Sequence, residues 1–501
     1  MRRGVRRLHE PLRRLAALVV ATTVAGCVQL GPNFEPEHPT WIDAWNSPSL
    51  DQVTRSSDQP DLRQWWSVFN DPVLDQLIAD ADANNTDIKI AGLRVIEARA
   101  QLGIAESGRY PQSQQISAEA LYIDRSQSGG RNPLDNHLWQ YFTGFNVGWE
   151  LDFWGRFSRA IESADAAYFA AGANYEDVLV LLHAQIAEAY MALRTTEARL
   201  RIARENAGLQ KRSLEITQQL YDSGNNPELD VQQAKTQYLG TLSTVPQLEA
   251  LLHRTRNAVA ILLGRPPGPL EQLTETQDLV PLVDAAVLND VPAELLLRRP
   301  DVRAAEWQVA SQSALVGVAV TDLYPAVTLL GSIGWTASSL DGASDARDIG
   351  GGPSLRWNIF DYGRIRNNVR VQDARLQQLI EAYRDRVRQA AREADDAATD
   401  LIKSLERERI LNEASGAATR SLSIATSQYR EGFADFQRVL DAQRDLFAQQ
   451  EAYLDSRSDV VNSVIALYRA LGGGWTSTQP LIDEQTRDQM QERTNWGDLL
   501  Q

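Results

Sequence analysis

Few side chains in this 501-residue chain are placed to make or break bonds. The five histidines (His9, His38, His137, His183 and His253) are scattered, with no metal-ligand spacing. His183, inside a long helical stretch, reads as a structural residue. No Gly-Lys phosphate loop and no Gly-x-Ser-x-Gly nucleophile turn occur. Asp/Glu pairs are common, but they lie on stretches rich in both charge signs, where solvated faces are the usual outcome. The formal charge of −16 opposes a general nucleic-acid binder. Cys27 is the only cysteine, which excludes a disulfide scaffold. What remains is one thiol, and the expectation is a protein that is not an enzyme and holds no cofactor or metal.

The surroundings of that thiol give it a use. The first 26 residues hold six arginines and one acid, Glu10, followed by an apolar run from Leu15 to Ala25. A basic start and a short apolar run are the layout of a secretory signal. The run is too short to span a bilayer, which takes about 20 residues. It ends Val24-Ala25-Gly26-Cys27, and small residues before a cysteine resemble a bacterial lipobox. In that class Cys27 becomes the first mature residue and carries a covalent lipid. Val28 follows where an aspartate would favour the inner membrane, which points to the outer one. Without residues 1–26 the chain carries −21.

The rest of the chain is a duplication. Trp149 recurs as Trp357, Gly155-Arg156 as Gly363-Arg364, Tyr221 as Tyr429, Gly224 as Gly432 and Leu263-Gly264 as Leu471-Gly472, each pair 208 positions apart. Upstream, Asp87 matches Asp301 and Tyr110-Pro111 matches Tyr324-Pro325, 214 apart. A loop six residues shorter in the second copy accounts for the change. A unit this long is a duplicated half, not a solenoid repeat.

Each copy opens with a helical stretch, Thr86–Arg109 and Pro300–Leu323, followed by two strand-like runs. In Gly144–Phe153 the residues Phe145, Val147, Trp149, Leu151 and Phe153 fall on one face, with Gly144, Asn146, Gly148, Glu150 and Asp152 on the other. Ile116–Tyr122 alternates likewise. In copy two, Val327, Leu329, Ile333 and Trp335 alternate with polar or small neighbours, and Leu355, Trp357 and Ile359 do the same. Such strands suit a soluble sheet or a membrane barrel. Ten residues is the length that crosses a bilayer when tilted. Trp139, Tyr141, Phe142, Phe153, Trp154, Trp335, Phe360 and Tyr362 cluster at strand ends, as in an aromatic girdle. Asp124–Leu138 and Ala337–Gly350 read as exposed polar loops. Four strands cannot close a barrel, so membrane strands require a dimer of eight or a trimer of twelve.

After the strands each copy is mostly helix. Phe157–Tyr221 has no proline and as one helix would be about 98 Å long. Leu179, Leu182, Ile186, Ala189, Leu193, Thr196, Leu200 and Ala203 step by three and four, a coiled-coil seam. Its counterpart is Val387, Ala390, Ala394, Ala397, Leu401, Ser404, Glu408 and Leu411, broken at Glu408. Turns at Gly224 and Gly432 lead into shorter returning helices, the first of which should kink at Pro246. No proline lies between Pro353 and Pro480.

With the Tyr-Pro openings, the Gly-Arg steps, the Leu440-Asp441-Ala442-Gln443-Arg444 run and the Ala470-Leu471-Gly472-Gly473-Gly474-Trp475 ending, the chain resembles the outer-membrane efflux protein family, lipid-anchored members above all. The resemblance implies a mainly α fold with a transmembrane β-barrel: a homotrimer with four strands per chain, a twelve-stranded barrel and a long α-helical coiled-coil tunnel through the periplasm. It implies an exit duct in the outer membrane that serves a periplasmic adaptor and an inner-membrane transporter, of the RND type for drug pumps, and passes drugs or other small molecules. Residues 1–26 would be the signal, 27–85 the anchor and first equatorial segment, and 86–264 and 300–472 the two repeats. Residues 265–299 and 473–501 would be further equatorial segments. By motif position Asp441 falls on the acidic ring of the periplasmic gate, Arg444 on its neighbouring arginine and Tyr429 on the locking tyrosine. Ala434 and Arg438 depart from the family pattern, so the lock uses other partners. Phe145, Val147, Trp149, Leu151 and Trp357 would face lipid. The negative charge suggests a cation-favouring lumen if Glu150 and Asp152 point inward. Duct readings for type I protein secretion or metal export stay open, as does a non-channel coiled-coil spacer.

Overall fold

The computed structural model describes residues 29–36, 62–124, 137–270, 273, 293–340, 345–475 and 480–500. Cys27, the signal segment, residues 125–136 of the first polar loop and residues 341–344 of the second lie outside them. A short 3-10 helix, Leu62–Phe69, precedes α1 (Pro72–Asn84) and α2 (Thr86–Ser107). Strands β1 (Ser113–Asp124) and β2 (His137–Glu150) lead into α3 (Arg156–Asp222) and α4 (Glu228–Leu262). The second half repeats this order: α5 (Pro300–Thr321), β3 (Ala326–Ala337), β4 (Ala346–Arg356), α6 (Arg364–Arg430) and α7 (Phe436–Ala470). The helix α8 (Glu484–Arg493) comes last. Corresponding helices have equal lengths: 22 residues in α2 and α5, 67 in α3 and α6, 35 in α4 and α7.

The seams explain the long helices. In α3 every seam residue from Leu179 to Ala203 is buried except Ala189, which is half-buried. In α6 the seam is buried from Val387 to Ser404 and stops at Glu408, where a carboxylate meets what would be apolar contact. Pro246 leaves α4 one N–H short without ending it.

Hydrogen bonds repeat with the sequence. The Asn85 amide donates to the carbonyl of Leu262 at 2.8 Å, and Arg299, its counterpart at offset 214, donates to that of Ala470 at 2.7 Å. Trp149 donates to the carbonyl of Arg109 at 3.2 Å, and Trp357 to that of Leu323 at 3.0 Å. At both hairpin turns the glycine takes the left-handed conformation that closes a helix, φ 76° at Gly224 and 78° at Gly432.

The four strands form one antiparallel sheet in the order β1-β2-β3-β4. Leu151 lies just past β2, and its amide donates to Val327 at 2.9 Å in the register of β2 with β3. In an antiparallel ladder, hydrogen-bonded and non-bonded pairs alternate. Odd residues of β2 and β3 therefore point their amides at each other, and even residues of β3 point theirs at β4. The outward amides of β4 then belong to Arg347, Ile349, Gly351 and Leu355, while Pro353 puts its missing N–H on this free edge, where a strand tolerates proline. By the same count the outward amides of β1 are those of even residues such as Ile116 and Ala118.

Two compact units draw on these elements. One takes its described residues from 1–37, 96–170 and 305–383; the other takes them from 38–95, 171–304 and 384–501. Both copies feed both units, so the repeats are not successive globular domains.

In the second unit, Trp65 stacks on Tyr468 with ring centroids 5.3 Å apart. Buried His183 holds the carbonyl of Gly474 and the carboxylate of Asp82, each at 2.6 Å. It is the packed structural residue its helix suggested. Arg299, also buried, grips both oxygens of Asp301 (3.0 and 2.9 Å) and Glu393 at 2.8 Å. Asp177 belongs to the same charged group. Burial, then the nearby Asp301 carboxylate, push its pKa up to about 6 against the pull of Arg299 and Arg386.

Candidate functional site

The sheet sorts its side chains by face. One face carries Ile116, Tyr122, Trp139, Tyr141, Phe145, Val147, Trp149, Ile333, Trp335, Ile349 and Leu355. Ile116 is 82% exposed, and Ile349 and Leu355 are 65% exposed. A row of bare aliphatic and aromatic side chains on one sheet face suits contact with hydrocarbon, and soluble monomers rarely show it. The opposite face is mainly polar, with Gln115, Ser117, Glu119, Asn146, Glu150, Thr328, Ser332, Asp348 and Arg356 beside exposed Leu121 and Leu330.

Two of the expected lipid-facing residues lie outside the strands. β2 ends at Glu150, before Leu151, and β4 ends at Arg356, before Trp357. The cause is the helix after each strand. Asp152 accepts from the amides of Phe157 (3.0 Å) and Ser158 (2.9 Å), and Asp361 accepts from those of Gly363 (3.1 Å) and Ile365 (2.8 Å). These caps turn the chain out of the ladder. Asp361 is held below the usual carboxylate range by the same amides. Asp152 is thus a helix cap just past the end of β2, whereas Glu150 is on the polar face of the strand. Both β4 and its loop differ from expectation, since β4 begins at Ala346, inside the stretch read as a loop.

The hairpin tips hold the proposed gate residues. The Asn226 amide in the α3–α4 turn donates to the Tyr429 hydroxyl at 2.6 Å and also reaches Asp230 at 3.1 Å. The Tyr429 ring lies 5.3 Å from that of Phe436, against a small core of Ala234, Phe436, Val439 and Leu440. Burial raises the pKa of Tyr429, opposed by the bond from Asn226. Burial, with Asp435 nearby, raises that of Asp230. Asp441 and Arg444 are both more than half exposed, 3.7 Å apart. Asp441 accepts from Gln437 at 2.9 Å, and Arg444 donates to Gln237 at 2.9 Å. Within the chain, then, Tyr429 and Arg444 each tie the second hairpin to the first, and Asp441 bonds only on its own helix. Sequence reasoning does not single out Asn226. A signal is present, because Asn226 is the copy-one residue aligned with Ala434, where the lock partner is missing. Beside these bonds the turns present exposed apolar residues, Leu229 at 62% and Phe433 at 79%.

No helix among the described residues is long and apolar enough to cross a membrane, and no group of metal-ligating side chains comes together there. A sheet with an apolar outer face, free edges and helices of 67 residues defines a β-barrel channel protein of the outer membrane. The chain belongs to the outer membrane efflux protein family, whose model matches residues 77–265 and 291–473, once for each copy. It is 29% identical over 472 residues to the cation efflux system protein CusC of Escherichia coli, covering 92% of this chain and 99% of that one. It is 30% identical over 423 residues to the probable efflux pump outer membrane protein SepC of Pseudomonas putida, covering 81% and 84%. Among solved structures, the outer-membrane channel OprN superposes with a TM-score of 0.82 at 34% identity, over 89% of this chain and 99% of that one.

Proposed function

We propose that three copies of this chain form the exit duct of a tripartite efflux pump. The free edges of the sheet carry this reading. β1 and β4 each turn their unpaired amides outward from apolar-face residues, and in lipid every such group needs a partner, at a cost of several kcal/mol if left without one. Pairing β4 of one copy with β1 of the next satisfies both edges, and three copies give twelve strands. The lipid on Cys27 would hold the chain to the outer membrane. The polar face of the sheet lines the lumen.

The chain supplies a path and no reaction. A periplasmic adaptor and an inner-membrane transporter of the RND type supply the energy. Leu229 and Phe433 at the tips give the adaptor an apolar surface. Gating is a shift between two packings of the tips, with Tyr429, Asn226, Arg444 and Gln237 holding the closed one and Asp441 adding one negative charge per copy to the opening. The relatives' names cover cations as well as solvents such as toluene, so the transporter sets the cargo. Mass measurement of the detergent-solubilised protein tests the assembly: three chains are expected, and a monomer or a dimer overturns it. Crosslinking in cells followed by purification should recover an adaptor and a transporter.

A further inference from the structure

The polar face of the sheet contains one aromatic side chain among its described strand residues, Phe142, against six on the apolar face. Its register partners are Glu119 on β1 and Thr336 on β3, so it shares the face that lines the lumen. Its ring occupies an unusual bed. A Cβ added to Gly144 would lie 2.7 Å from the end of the ring, and one added to Gly334 would lie 2.8 Å from its edge. Gly144 and Gly334 are opposite each other in the β2–β3 register. The ring therefore lies flat over two glycines, in the volume that two side chains would otherwise fill. Aromatic cover of strand glycines is a recognised way to complete a sheet surface. Here it also keeps a bulky group against the wall.

We propose that Phe142 sets the bore of the barrel lumen, and that Gly144 and Gly334 determine its width by letting the ring lie flat. The inference rests on the duct reading, since only a closed barrel makes this face a lumen. Three copies place three rings around the lumen, between the β1–β2 loop and the deeper residue Asn146. Any side chain at either glycine must displace the ring, because the strands behind it leave no room, and the open side is the lumen. The rings then act as a size filter on solutes leaving the duct and present the one aromatic surface they meet among the described strand residues.

The test uses labelling from outside the cell, which does not depend on the periplasmic gate. Asn146→Cys in the full chain gives a lumen thiol beyond the ring, and the same cells without it supply the background. A small charged thiol reagent should label it freely, and a bulky one should label it measurably. Adding Gly144→Ala should slow the bulky reagent roughly fivefold while sparing the small one, and Phe142→Ala in that background should restore the rate. Phe142→Trp, which leaves both glycines intact, should slow the bulky reagent in the same way and covers the case in which the alanine variant fails to fold. Equal bulky labelling with and without Phe142→Trp or Gly144→Ala overturns the inference. So does slowing that Phe142→Ala does not reverse. If the small reagent fails to reach Asn146→Cys at all, the duct reading itself fails.

Discussion

Tyr429→Phe removes one hydroxyl and leaves the ring on Phe436 in place, so its effect isolates the bond from Asn226 across the hairpins. A hydrogen bond of this kind contributes about 0.5–1.5 kcal/mol net. The lower half of that range fits a single copy, because the freed Asn226 amide keeps Asp230 within 3.1 Å. If the three copies of a trimer open together, the contributions add to about 1.5–3 kcal/mol, a shift of roughly ten- to one-hundred-and-sixty-fold toward the open packing. Single-channel recording in a planar bilayer reads this directly as open probability. Asn226→Ala should match Tyr429→Phe, and the double variant should do little more than either, since both remove the same bond. Unchanged open probability in Tyr429→Phe, or full additivity in the double variant, would refute the lock. Asp441→Ala combined with Tyr429→Phe should raise single-channel conductance if both residues belong to the gate, and unchanged conductance would count against that assignment.

Three further outcomes are expected. The folded state holds a proton on Asp177 more tightly than the unfolded chain, so this group's stabilisation is fully present below pH 3.8 and is lost as pH rises through about 6. Thermal stability should therefore rise on acidification from pH 7 to 5. Asp177→Asn should flatten that dependence and stabilise the protein at pH 7 by about 2 kcal/mol, allowing for partial exposure; an unchanged pH profile contradicts the assignment. Cys27→Ser should abolish incorporation of labelled palmitate, and continued incorporation would exclude Cys27 as the lipid site. With Glu119, Glu150 and Asp348 on the lumen face against Arg356, reversal potentials should show cation selectivity, and anion selectivity would refute the lumen assignment.

Much of the fold was legible because period and repetition are local properties. The three-four stepping from Leu179 to Ala203 marks the buried face of α3, and the constant offsets anticipate paired bonds such as those of Trp149 and Trp357. The strand ends were not legible. They are set by Asp152 and Asp361, whose side chains reach forward to cap helices, and alternation alone carried the strands past them to Leu151 and Trp357. The start of β4 was hidden as well, since Gly350-Gly351-Gly352-Pro353 has turn composition and becomes a strand only by pairing with β3. At the tip, motif position located Tyr429, Asp441 and Arg444. Their partners depend on how two hairpins approach, so Asn226 and Gln237 emerged only in three dimensions. The thiol from which the functional reading began, Cys27, precedes the first described residue and is left to chemistry.

The central claim is that this chain builds a water-filled duct through the outer membrane. Purified protein reconstituted in a planar lipid bilayer measures that most directly. Discrete, cation-selective current steps are expected, and they should become larger or more frequent when Tyr429 and Asp441 are replaced. A bilayer that stays silent with the wild-type protein and with the gate variants would contradict it.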